Sequence, residues 1–277
     1  MNKKSSKNIN IDYCIANSYL DNVKLYRKSD AIIALLVMIY TIIISFLSGF
    51  IFSVLEVKEP FSLIVGIAFL FVTNIPLYIL FMKRKQKLTS IGIHLINWKA
   101  SITMGLIFIL ISFFLFRGLI VGLINKWNFN SFDMIVLSLL LVFMSALFED
   151  LIMIGYIQTR LYGLIKGDIL AVVAGSVIFT FIHLPIMLWL PWRNKVILIM
   201  FYMMIHFLLN SIYRIVQSII PVTALHFSLN YSSLGLFWQY PGDGINSSKS
   251  LIVLIFLVIM LILIFKKFSP KMRSRMP

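Results

Sequence analysis

Acidic residues are scarce in this chain. Ten Asp and Glu face 25 Lys and Arg over 277 residues, a formal net charge of +15. Cysteine is nearly absent: the single Cys14 excludes an internal disulfide and any multi-cysteine metal site. The first thirty residues are polar and lack the short apolar core of a cleaved signal. Charge of either sign is thin at 13%, against 60% hydrophobic residues and a mean hydropathy of +0.97. A soluble domain of this length does not have that balance. The apolar runs show no strict alternation, which argues against a transmembrane barrel and for helices that satisfy their own backbone in lipid.

What is present is a series of apolar runs near bilayer length. We read an all-α polytopic membrane protein with about eight transmembrane helices. They cover roughly Ala31–Leu55, Phe61–Met82, Ile102–Leu123, Phe132–Leu161, Ile169–Leu190, Val196–Tyr213, Ile219–Phe237 and Leu251–Phe265. The fourth is too long for a simple span, so its last turns are expected to tilt or project. The expected division is a cytoplasmic segment 1–30, a helical domain 31–265 with a core at about 132–237, and a basic cytoplasmic tail 266–277.

The basic residues fall unevenly across these spans. Lys58, Lys126, Arg193, Lys195 and Lys249 lie on one side. The N-terminal segment, the loop after the second helix, Arg160, Lys166, Arg214 and the tail lie on the other. The asymmetry places both termini in the cytoplasm. The charge is thus a topology signal and a contact for anionic membrane lipids, and no nucleic-acid partner is expected. The basic stretch after the second helix reads as interfacial, with His94 and Trp98 as surface anchors.

Two acids and three histidines sit inside spans. Glu149 and Asp150 are adjacent in SALFEDLIMIGY, and His183, His206 and His226 follow on later helices. Ionisable groups at membrane depth cost roughly 2.5–3.5 kcal/mol on insertion scales and usually mark function. The plainer alternatives are a buried ion pair with Arg117 in the third helix and interhelical hydrogen bonds from single histidines. Two near-copies of one pair occur: HFLLN, His206–Asn210, and HFSLN, His226–Asn230. Helical rise puts His206 roughly 12 Å from Arg214 along the chain and His226 roughly 18 Å from it. Glu149, His183 and His226 can share one level, with His206 and Asn210 nearer the cytoplasmic surface. HFSLN is therefore the expected working copy.

A carboxylate and a histidine at one level can hold and activate water, while a second His with an Asn can stabilise an oxyanion. Zinc held by Glu149, His183 and His226 is the competing use, although HExxH spacing is missing.

These residues resemble the CAAX-protease and bacteriocin-processing intramembrane proteases, the CPBP or Abi family. Its motifs are EExxxR, FxxxH on the next helix, and HxxxN two spans later. Here they read Glu149-Asp150 with Ile154, Phe179 to His183, and His226 to Asn230. The resemblance covers roughly residues 132–236. It implies eight helices, a cytoplasm-facing intramembrane cavity, and a peptidase in which Glu149 activates water without a cofactor. Glu149, His183, His226 and Asn230 are the implied catalytic residues. Asp150 stands for the second Glu, and Ile154 replaces the Arg. Asp150 thus lacks its usual counter-charge, so Arg117 is expected to substitute or Asp150 to stay protonated.

The implied substrate is a small membrane-associated peptide or protein. The Lys-, Ile- and Asn-rich composition looks bacterial, so a pheromone or bacteriocin precursor at the cell membrane is expected. Two other classes compete. One is a catalytically weakened immunity factor or scaffold. The other is a transporter relaying protons through the two acids. No related halves are apparent, and Pro185 and Pro221 are the notable span breakers.

Overall fold

Long apolar runs with few breakers become long helices. In a computed structural model of the chain, described for residues 19–54, 61–84, 86–94, 98–99, 101–110, 132–187, 190–237 and 259, the regular elements are all helical. They are α1 Tyr19–Lys24, α2 Lys28–Val54, α3 Phe61–Arg84, a 3-10 turn Leu88–Ile91, and α4 Ser101–Leu110. Next comes α5, Phe132–Asp150, which widens into a π-helical stretch Leu151–Gln158 and closes as Thr159–Leu161. Then follow α6 Asp168–Ile182, α7 Leu184–Met187, α8 Trp192–Val216 and α9 Ile219–Phe237.

Four of these helices contain segments long and apolar enough to cross a membrane: Lys28–Ile51, Ile64–Arg84, Leu139–Leu161 and Asn194–Val216. Shorter apolar helices are Ser101–Leu110, Asp168–Ile182 and Ile219–Asn230. The expected third helix falls partly, and the expected eighth almost wholly, outside the described residues. The expected fifth helix is broken rather than continuous, for a reason given with the site.

The bundle buries a set of polar groups within an apolar core and is apolar outside. Leu36, Phe50, Phe71 and Tyr78 are well exposed on α2 and α3, whereas Asp150, Gln158, Arg160, His206, Asn210 and His226 are buried. That arrangement suits lipid around the bundle and hydrogen-bonding groups within it. At one end, Asp30 accepts from the Arg27 amide (2.9 Å), capping the start of α2. Its other oxygen meets Arg84 at 3.2 Å, tying α2 to the end of α3.

Arg160 and the segment after α3 depart from their sequence reading. Arg160, counted from sequence among the basic residues of one side, is fully buried. Its guanidinium donates to Ser90 O (3.0 Å), Ser90 Oγ (2.9 Å), Gly155 O (2.9 Å) and Thr159 Oγ1 (2.7 Å). It also lies over the rings of Tyr26 (4.5 Å) and Tyr156 (4.3 Å). The buried cation is thus met by neutral acceptors and aromatic faces.

Ser90 and Ile91 are buried against the α5 assembly, and Gly92 against Tyr213 and Ile219. At Gly155 a side chain would place Cβ 2.7 Å from the Ile91 carbonyl oxygen, so only glycine admits this approach. The Gly155 carbonyl is taken by Arg160 and by Thr159 Oγ1 (2.8 Å), side-chain donors in the stretch where the helix widens. His94 is not merely a surface anchor: its Nε2 lies 2.6 Å from the carbonyl of Gln217. Gln217 closes α8 in a left-handed conformation (φ 53°), its amide donating to Tyr213 O.

Candidate active site

The site forms where α5 changes geometry. Glu149 and Asp150 end its regular part, and the π-helical stretch begins at the next residue. Successive helix residues point about 100° apart, so adjacent acids serve different neighbours. Glu149 turns to the end of α6 and Asp150 to α9.

His183 sits at the C-terminus of α6, and Pro185 explains why. Proline has no amide proton and its ring clashes with the carbonyl four residues back, so α6 cannot run through it. The His183 amide hydrogen-bonds Thr180 O (3.1 Å) instead of the Phe179 carbonyl a regular helix would offer. The freed Phe179 carbonyl lies 2.8 Å from His183 Nδ1. A carbonyl only accepts, so Nδ1 carries a proton. His183 Nε2 then faces Glu149 Oε1 at 3.1 Å. The pair stands at ion-pair distance, but Glu149 Oε1 makes no hydrogen bond with good geometry.

His226 stands between the two acids. Its Nδ1 is 2.9 Å from Asp150 Oδ1, and its Nε2 is 3.9 Å from Glu149 Oε2. An ionised Asp150 fixes the proton on Nδ1 and leaves Nε2 toward Glu149. Side-chain exposure is 0% for Asp150, 3% for His226, 12% for His183 and 19% for Glu149. The Asp150–His226 pair is the buried wall, and Glu149 with His183 is the open side.

The structure therefore brings Glu149, Asp150, His183 and His226 together. Asn230 lies one turn beyond His226 on the same helix face and is half-buried. Ile154 is fully buried, so an apolar side chain fills the position of the motif's arginine. Asp150 finds a partner in His226; Arg117, the expected substitute, lies outside the described residues. Among the described residues, no group of three or more His, Cys, Asp or Glu is arranged to hold a metal ion.

Residues 130–232 match the family model described as type II CAAX prenyl endopeptidase Rce1-like. That stretch is similar to the Rce1-like family. No curated protein and no solved structure matches the chain. The Rce1-like segment holds every site residue just described, from Glu149 to Asn230, and the match agrees with the resemblance read from the three motifs. The likeness is to a protease family and covers that stretch.

Sequence reasoning missed part of the surroundings. Phe179 packs against three imidazoles, with ring centroids 4.8 Å from His183, 5.0 Å from His206 and 6.0 Å from His226. His206 was expected nearer the surface, yet it shares this aromatic hub. Rise along a helix ignores tilt, and the 6 Å separation it gave is no larger than one side chain. Tyr202 stacks on His183 at 4.0 Å with planes 20° apart. Its spacing of four before His206 was the available signal.

Proposed function

We propose that this protein is an intramembrane endopeptidase that cleaves a peptide bond with water activated by Glu149. The supporting observation is one carboxylate facing two imidazoles, with Glu149 oxygens 3.1 Å from His183 Nε2 and 3.9 Å from His226 Nε2. The longer gap exceeds a hydrogen bond and suits a bridging water. Glu149 takes that water's proton as hydroxide attacks the scissile carbonyl, and the same proton goes to the leaving amine. The Asn230 amide stabilises the oxyanion. Asp150 acts through His226, holding its tautomer. The chemistry requires no cofactor.

The substrate we infer is a small membrane-associated peptide or protein, reached from a cytoplasm-facing cavity. The basic-residue asymmetry supports a multi-pass cell-membrane protein with both termini inside, and the composition supports a bacterial source. In this reading, Asp150 keeps a role despite the altered first motif, which favours an active enzyme over an immunity scaffold or a transporter.

The test uses purified protein in proteoliposomes with a quenched-fluorescent farnesylated CAAX peptide and a set of unmodified membrane peptides, products read by mass spectrometry. Cleavage is expected with at least one probe, is expected to survive a chelator, and is expected to be lost in His183→Ala and His226→Ala. Cleavage that both variants retain at normal protein levels rejects the proposal; loss with chelator and recovery with zinc replaces the metal-free route.

A further inference from the structure

A polar stripe runs down α8 beside the hydrolytic centre. Tyr202, His206, Asn210 and Arg214 recur every four residues and so share one face. Their partners on α6 come in reverse order. Tyr202 stacks on His183, His206 Nδ1 lies 3.1 Å from Ser176 Oγ, and Arg214 pairs with Asp168. The last pair reaches the surface, with the Asp168 side chain 35% exposed. Between the ends lies Asn210, fully buried, with neither amide atom hydrogen-bonded. His206 is also fully buried, and its Nε2 has no partner. Gln158 donates to Ala171 O (3.1 Å), but its buried Oε1 is likewise unpartnered.

Donor counting says what these groups lack. The Ser176 hydroxyl has one proton and gives it to Val172 O at 3.0 Å. His206 Nδ1 must therefore donate to Ser176 Oγ, which leaves Nε2 as a lone pair. Gln158 Oε1 is also an acceptor, while the Asn210 amide both donates and accepts. Each buried polar group left unmatched costs about 1–3 kcal/mol. Water meets all these demands in a small volume. Glycine at 175 makes room for the Gln158 amide oxygen: a Cβ there would clash with Gln158 Oε1 and lie 3.1 Å from His206 Cε1.

We propose that His206, Asn210 and Gln158 form a water-binding track along the α6–α8 interface, from the Arg214–Asp168 pair to the aromatic hub at Phe179. Resting on the hydrolase reading, the track supplies the co-substrate to a site surrounded by lipid. His206 is a positioning residue in it. The first HFxLN copy thus handles water, and the second handles the bond.

The hydration claim is tested without any peptide substrate. In a Cys14→Ser background, Asn210→Cys and Leu209→Cys proteins in proteoliposomes are treated with 2-aminoethyl methanethiosulfonate, whose sulfur hydrated thiolate attacks with loss of methanesulfinate. Because thiolate needs water, modification at 210 is expected at least about ten-fold faster than at 209. Gln158→Cys serves the same purpose should the first variant misfold. Equal, slow rates at 158, 209 and 210 overturn the track.

The feeding claim is tested by turnover of whichever probe peptide the protein cleaves. His206→Leu is expected to lower kcat about ten-fold with KM unchanged, and His206→Gln, which restores an acceptor, to recover most of it. Wild-type kcat in His206→Leu overturns the feeding role while leaving the hydrolase intact. Wild-type turnover in Glu149→Gln instead sinks the hydrolase reading itself, and the thiol rates still decide hydration.

Discussion

Asp150 Oδ1 lies 2.9 Å from His226 Nδ1, with neither side chain more than 3% exposed. This contact gives the altered first motif a physical meaning. The shorter acid still reaches an imidazole, and with Ile154 in the arginine's place its partner comes from α9. A buried carboxylate against one ring nitrogen determines where the other nitrogen's lone pair points. Here that is toward Glu149.

Asp150→Asn is the direct test of that orientation. The neutral amide no longer holds the proton on Nδ1, so activity is expected to fall about 100-fold or more with little loss of folded protein. Peptide turnover beside thermal melting in detergent measures both. An active Asp150→Asn protein removes the orienting role.

Pro185→Ala separates helix stability from site geometry. Alanine restores an amide at 185, allowing α6 to continue and the Phe179 carbonyl to take the backbone bond it lacks. The variant is expected to melt near the wild-type temperature, since Pro185 lies in the first turn of α7, where proline is tolerated. It is expected to lose most activity because His183 gives up its Nδ1 acceptor. Unchanged turnover shows that the break does not position the ring.

Arg160 is expected to be structural. Arg160→Lys keeps the charge but cannot serve acceptors on both sides while stacking between Tyr26 and Tyr156. Each abandoned acceptor costs about 1–3 kcal/mol, so a clear fall in melting temperature is expected. Differential scanning fluorimetry decides this, and a lysine variant as stable as wild type contradicts it.

The long helices were legible in the sequence because their signal is local: an apolar run of bilayer length has few alternatives. Ile219–Phe237 matches its predicted range at both ends, as does the α5 assembly from Phe132 to Leu161. The meeting of Glu149, His183 and His226 was anticipated from motif spacing and depth. What escaped depends on which face a residue presents to a neighbour. Arg160 looked like a flanking charge because nothing local announces Ser90, Tyr26 and Tyr156 around it. The π-helical widening after Asp150 changes side-chain register without leaving a hydropathy signature. His206 was set aside on a depth difference smaller than the tilt of a helix can erase.

The central claim is that Glu149 activates the attacking water, and Glu149→Gln tests it most directly. The glutamine keeps the shape and a hydrogen-bonding oxygen but cannot take a proton. In single-turnover assays on the cleaved probe peptide, cleavage is expected to slow by about 10²–10⁴-fold or beyond detection while peptide binding is unchanged. A Glu149→Gln protein that cleaves at the wild-type rate contradicts the account.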